Sequence, residues 1–200
     1  MRIDPKGDKE SLLLHCLMKL NYKPEPGLLW QAPTVLVGLT ISAKFKLEVS
    51  GNLAPFTLQT LVLCITCLYF SRQANLLGTF LYMVAGMYFP VFSSNEIFGR
   101  EFYFGYNAGY IYGFPLAVIL ITSSRENYNS WFTAFSWLLM AHALILACGT
   151  AWGIFYKKVE YGFAVQTGFM NLLPGAIVKS VVVSLVYWLT QKYLKNEKVA

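Results

Sequence analysis

The chain has 200 residues, of which 56% are hydrophobic, 16% aromatic and only 13% charged. A soluble domain carries about a quarter charged residues, so this chain lacks the polar side chains to cover its own surface; an ordinary cytosolic enzyme, a nucleic-acid-binding module and a disordered regulator are excluded. The 16 Lys and Arg behind the net charge of +6 are scattered among apolar stretches and tails, so they read as topological signals at a membrane and not as a nucleic-acid footprint.

In chain order, residues 1–27 form a polar, mixed-charge tail. Within it, Ser11 to Leu20 is apolar but too short to span a bilayer and has no small-residue cleavage pattern after it. It reads as an interfacial amphipathic helix, ended by the breaker cluster Asn21 to Gly27 with Pro24 and Pro26. Six apolar stretches follow: Leu28–Phe45, Leu53–Phe70, Ala74–Phe92, Phe104–Thr122, Trp131–Phe155 and Pro174–Tyr193. Each is close to the about 20 residues that cross a hydrocarbon core. The predicted fold is therefore an all-α membrane protein, a bundle of six transmembrane helices over residues 28–193, with a short C-terminal tail over 194–200. Pro55 and Pro174 sit near helix starts, where a missing N–H costs little, whereas Pro33 and Pro115 lie further in.

Orientation follows from counting basic residues. With the N-terminus inside, Arg2, Lys6, Lys9, Lys19, Lys23, Arg72, Arg125, Lys192, Lys195 and Lys198 fall on the inner side, and Lys44, Lys46, Arg100, Lys157 and Lys158 on the outer. Ten against five places both termini in the cytoplasm. Small residues mark close helix approach. Gly105, Gly109 and Gly113 repeat every four residues in the fourth span, and Ala143, Ala147 and Ala151 do so in the fifth; both stripes read as internal packing. Gly38 and Ser42 in the first span are candidates for a partner interface.

The chain carries no catalytic equipment: there is no Ser-His-Asp set, no paired carboxylates and no zinc-protease motif. Cys64 and Cys67 have metal-motif spacing but lie inside an apolar run without a second pair, so they read as packing residues, as do Cys16 and Cys148. His142 is mid-span without an acidic partner and reads as a packing histidine; His15 is in the tail. No metal site and no cofactor are expected. The string Pro174 to Ser180 lacks the glycine that a phosphate loop needs directly before its lysine, Val178 standing there, so ATP binding by this chain is excluded. Lys179 is the most informative residue. It lies five positions after Pro174, about 8 Å into the last helix, where a buried lysine must face a cavity or a partner and where the positive helix end also suits an anionic or polar ligand. Gln59, Tyr110 and the connection around Asn95 lie at the same, outer ends of their spans. Together they describe a pocket that opens to the outside.

These residues carry a specific resemblance. Thr57-Leu58-Gln59-Thr60 resembles the TLQT at the start of the second helix in the BioY family, the biotin-specific S components of energy-coupling-factor transporters. Gly86 followed by Pro90-Val91-Phe92 resembles that family's glycine and PVF block. Gly105 to Tyr110 resembles its GPTGGY, and Leu173-Pro174-Gly175 with Lys179 resembles its LPGDxxK. The four motifs occur in order over residues 35–190. The resemblance implies a multi-pass protein of the bacterial cell (inner) membrane that captures biotin from outside. It also implies dependence on a separate module of one transmembrane coupling protein and two ATPases. It further implies ligand contacts by Asn95 and Lys179, with Gln59 as a third candidate and Tyr110 in the pocket wall. One departure bears on the substrate: the family's aspartate, an acceptor for the ureido N–H groups, is Ala176 here. Asn171 and Gln166 are the nearest amides that could replace it. The alternatives are the same scaffold with another small ligand, or a membrane structural or assembly protein.

Overall fold

The computed structural model describes residues 27–93 and 98–197. The N-terminal tail with its amphipathic segment, and Asn95, lie outside the described residues. The chain is overwhelmingly helical. Helix α1 (Leu28–Lys44) leads into a short antiparallel ribbon of β1 (Lys46–Leu47) and β2 (Phe56–Thr57), paired Lys46 to Thr57 and Leu47 to Phe56. Then come α2 (Gln59–Tyr69), α3 (Arg72–Tyr88), the single turn α4 (Arg100–Tyr103), α5 (Ala108–Ser124), a 3-10 turn at Arg125–Asn127 and α6 (Trp131–Phe155). The chain closes with α7 (Tyr161–Val165), a π turn (Gln166–Met170) and α8 (Leu173–Glu197).

Among the described residues, two helical stretches are long and apolar enough to cross a membrane by themselves, Trp131–Phe155 and Tyr161–Leu194. The long helices α1, α3 and α5 have 17 residues each, about 25 Å at 1.5 Å per residue. Their outward side chains are apolar: Val37 and Ile41 on α1, Phe80 and Met87 on α3, Leu116 and Ile119 on α5, Phe132 and Met140 on α6, Val182 and Val186 on α8 are all exposed. Helices that are apolar both inward and outward belong in lipid.

Several boundaries differ from expectation: the third helix ends at Tyr88, not Phe92, and the last runs past Tyr193 to Glu197, and the following differences have identifiable reasons. The second helix begins at Gln59, not Leu53, because Phe56 and Thr57 pair with the strand that follows α1. The fourth begins at Ala108, not Phe104, because Arg100–Tyr103 forms its own turn, tied back when Tyr103 donates to the Met83 carbonyl. Burial pushes the Tyr103 phenol up to about 12. The last helix is preceded by helical turns from Tyr161, which Glu160 starts by accepting from the N–H groups of Gly162 (2.9 Å) and Phe163 (2.7 Å).

The core runs through the contact of α5 with α6. A Cβ at Gly109 would come within 2.7 Å of the Cys148 carbonyl oxygen, and one at Gly113 within 3.0 Å of the Ile145 backbone. From α6, Gly149 receives the Tyr110 ring, which would lie 2.3 Å from an added Cβ. Gly109 and Gly113 are therefore internal packing, as expected, whereas Gly105 lies before the helix, where an added Cβ would meet only the Glu101 and Phe102 backbone. The alanine stripe is not its counterpart: Ala147 is exposed, and α6 presents Ile145, Cys148, Gly149 and Trp152 instead. Gly38 faces Val62 of α2 and Ser42 is buried with its hydroxyl on the Leu39 carbonyl. That pair packs α1 into its own bundle, Gly38 keeping part of its surface exposed. Cys64 and Cys67 are buried and free, in the packing role expected of them.

The two ends of the bundle are latched differently. At the end away from the ribbon, Arg125 donates to the Phe70 carbonyl at 2.9 Å, placing a cation at the C-terminus of α2, while Arg72 reaches Thr122 and Ser123 of α5. At the ribbon end, Lys44 donates to the carbonyls of Pro90 (2.6 Å) and Phe92 (2.9 Å). The Phe92 ring is buried, stacked on Phe102 at 3.7 Å and edge-on to Tyr82.

Candidate ligand-binding cavity

A cavity opens at the ribbon end and runs down between α2, α5, α6 and α8. Ala54, Pro55, Phe56, Thr57 and Ser93 surround its upper part, together with Phe102 and Asn107. Gln59 and Thr60 of α2, Tyr110, Ile111 and Phe114 of α5, His142, Ile145 and Leu146 of α6, and Leu172, Ala176 and Lys179 of the α8 segment complete the wall. The unfilled space, open solvent at the mouth included, is about 670 Å³, and its lining is that of the concave sites that hold small molecules. Mostly apolar walls with a few placed polar groups fit the same class.

Lys179 supplies the cavity's cation. The α8 helix places it one turn after Ala176, and its ammonium donates to the Thr60 hydroxyl at 3.1 Å. None of the described lining residues is acidic. A lysine taken out of water with only a hydroxyl for company is costly, and its remaining donors call for an accepting oxygen on a ligand. His142, one of the deepest residues, is buried with Nδ1 at 3.0 Å from the Leu138 carbonyl and 3.0 Å from Ser180 Oγ. Ser180 itself donates to the Ala176 carbonyl. The histidine therefore locks α6 to α8 behind Lys179, the packing role expected of it, while also lining the cavity.

Gln59 and Tyr110 both line the cavity but are largely committed to the protein. Gln59 donates through Nε2 to the buried Tyr82 hydroxyl, which in turn points to the Val91 carbonyl at 3.4 Å. The Tyr110 hydroxyl donates to the Gly168 carbonyl at 2.9 Å, tying α5 to the π turn. Both shape the wall and hold its elements in place. The structure thus brings Gln59, Tyr110 and Lys179 together, with Asn95 outside the described residues and Ser93, at the start of its connection, in the cavity wall. Asn171 and Gln166 do not line the cavity. Gln166 donates to Asn171, which donates to Asn52, and Gln166 and Asn171 pair on the exposed surface.

Sequence reasoning passed over Thr60 and Asn107 as site residues. Thr60 is the residue after Gln59 and was legible as part of the same motif; Asn107 carried the weaker signal of an asparagine at a helix start. Among the described residues no group of His, Cys, Asp and Glu is placed to hold a metal ion.

A family model described as the BioY family matches residues 28–196. The chain is 25% identical over 160 residues to the biotin transporter BioY2 of Lactococcus lactis subsp. cremoris (strain MG1363), covering 78% of this chain and 87% of that protein. It is 24% identical over 165 residues to a probable biotin transporter BioY of Rickettsia prowazekii (strain Madrid E), covering 80% of each. Its fold is similar to the 2.1 Å crystal structure of the S-component for biotin from an ECF-type ABC transporter, with a TM-score of 0.73 at 13% identity, over 86% of this chain and 95% of that one.

Proposed function

The chain belongs to the BioY family, and from that premise we propose that it is the substrate-binding component of a biotin uptake transporter. It binds its ligand and leaves catalysis and ATP hydrolysis to others. The observation that carries this reading is Lys179, placed in the wall of a mostly apolar cavity with a single hydroxyl partner and no acidic residue in the described lining. The bicyclic ring and alkyl chain of biotin suit the apolar walls, and its accepting oxygens suit the ammonium. Asn95 joins Lys179 in this reading as a ligand contact, carried by the connection that begins at Ser93.

In this reading α1, α2 with its leading ribbon, α3, α5, α6 and α8 are six spans of one membrane domain over residues 28–193, in the bacterial cell (inner) membrane. Both termini are cytoplasmic, supported by the ten-to-five distribution of basic residues. The cavity mouth then faces outward, where the ligand is met. Energy comes from a separate module, a transmembrane coupling protein with two ATPase subunits. Uptake of radiolabelled biotin tests the reading: cells lacking other biotin importers take it up when this chain and the module are both present. Accumulation by this chain alone, or none with the complete module, would contradict it.

A further inference from the structure

In the cavity the Lys179 ammonium donates to Thr60 and the Gln59 amide nitrogen donates to Tyr82, which leaves the Gln59 Oε1 as one acceptor in the wall. Asn107 is different. It occupies the N-cap position of α5, where an asparagine side chain ordinarily accepts from the first-turn N–H groups, yet it makes no capping hydrogen bond. Its Oδ1 is nevertheless buried and without a partner. Of the buried side-chain polar atoms left unpartnered among the described residues, it alone belongs to a residue of this cavity. Asn107 also borders the two grooves that flank the mouth, beside Asn52 and Leu53. It therefore stands where an entering ligand passes from the outer surface into the cavity.

A buried acceptor without a donor is a standing free-energy cost unless something supplies the donor. We propose that a turn of the Asn107 amide brings its buried Oδ1 to the cavity, where it accepts a ring N–H of the ligand and so makes Asn107 a specificity-determining residue. The proposal rests on the biotin-binding reading above, and the chemistry it selects is a cyclic urea or amide N–H. Asn107 then supplies an acceptor in a cavity where position 176 is an alanine, and it does so from α5 instead of from the α8 segment. The surface amides Asn171 and Gln166 have no part in it.

The test is equilibrium binding to the purified full-length chain in lipid nanodiscs, using biotin and two biotins each methylated on one ring nitrogen. Asn107→Ala should weaken biotin binding about 5- to 20-fold. Asn107→Asp, which keeps an acceptor and removes the donor, should recover most of that loss. One of the two methylated biotins should bind wild type and N107A equally, because the hydrogen bond in question is already gone. If N107A does not fold, judged by melting of the unliganded protein, Asn107→Leu takes its place at near-equal volume. Biotin binding by the apolar variant within twofold of wild type overturns the proposal. So does an N107D as weak as N107A, which would assign the contact to the amide donor. Absence of biotin binding by wild type itself removes the underlying reading and the proposal with it, an outcome distinct from a variant that merely fails to differ.

Discussion

Replacing Lys179 with methionine separates the cost of this residue to the fold from its value to the ligand. Lys179 sits in the second turn of α8 with its ammonium 3.1 Å from the Thr60 hydroxyl and no acidic residue in the described cavity lining. A lysine at the centre of a membrane helix costs about 2.5–3.5 kcal/mol on insertion scales, and this shallower position sets that figure as an upper bound. Methionine keeps the length and flexibility of the side chain while removing the charge, so the unliganded variant should melt no lower than wild type, and higher if the ammonium is poorly compensated. Ligand binding should move in the opposite direction. A hydrogen bond from a charged donor is worth about 1.5–3 kcal/mol, which corresponds to a roughly 10- to 150-fold loss of affinity. Calorimetric titration of biotin into nanodisc-embedded protein, beside thermal melts of both unliganded forms, reads the two effects separately. A variant that melts lower yet binds biotin within twofold of wild type would instead make Lys179 a structural residue with no part in ligand binding.

Ala176 is buried one turn before Lys179, so Ala176→Asp should place a carboxylate beside the ammonium, which helps keep it ionised, and tighten biotin binding about tenfold by adding a charge-assisted acceptor; weaker binding in the same titration would count against a ring N–H near α8. Gly109→Val would drive side-chain atoms into the Cys148 carbonyl and the Trp152 side chain, so the melting temperature should fall by the equivalent of about 1–3 kcal/mol, whereas Gly51→Ala, at a turn with open space around it but a φ of +89°, should cost less, near the roughly 1 kcal/mol of a left-handed residue. The Glu160 carboxyl is held below its ordinary value by the N–H groups of Phe163 and Gly162, so its capping contribution is present at neutral pH and is lost as pH falls through the carboxylate range; Glu160→Gln should flatten that part of the stability-against-pH curve, and an unchanged curve would show that the cap contributes nothing.

What could be read in the chain was decided by how local each signal is. Trp131–Phe155 was legible to the residue, because one uninterrupted apolar run is started by Ser130, whose side chain forms a reciprocal cap with Thr133. The start of the second helix was not. Leu53 to Leu58 is as apolar as the helix after it, and only pairing with Lys46 and Leu47 makes part of it a strand. The helical turns before α8 carry little local signal, since Gly162 and Gly168 disfavour helix by propensity, although Glu160 caps the first of those turns. The glycines of α5 announced a close contact correctly, but the matching face of α6 was set by Gly149 making room for Tyr110, a partner choice that alanine spacing does not encode. In the cavity, Lys179, Gln59 and Tyr110 stood out as polar residues at helix ends. Their division of labour did not, since the commitment of Gln59 to Tyr82 and of Tyr110 to Gly168 joins residues far apart in the chain.

In the proposed function, biotin binds in this cavity without help from any other protein. Titration of biotin into the purified, ligand-stripped chain in nanodiscs, with ATP absent and no partner subunit added, measures it directly. Saturable binding of one biotin per chain is expected, abolished or strongly weakened by Lys179→Met. No binding of biotin by a protein that is folded and monodisperse, or binding that appears only when the energising subunits are added, would contradict it.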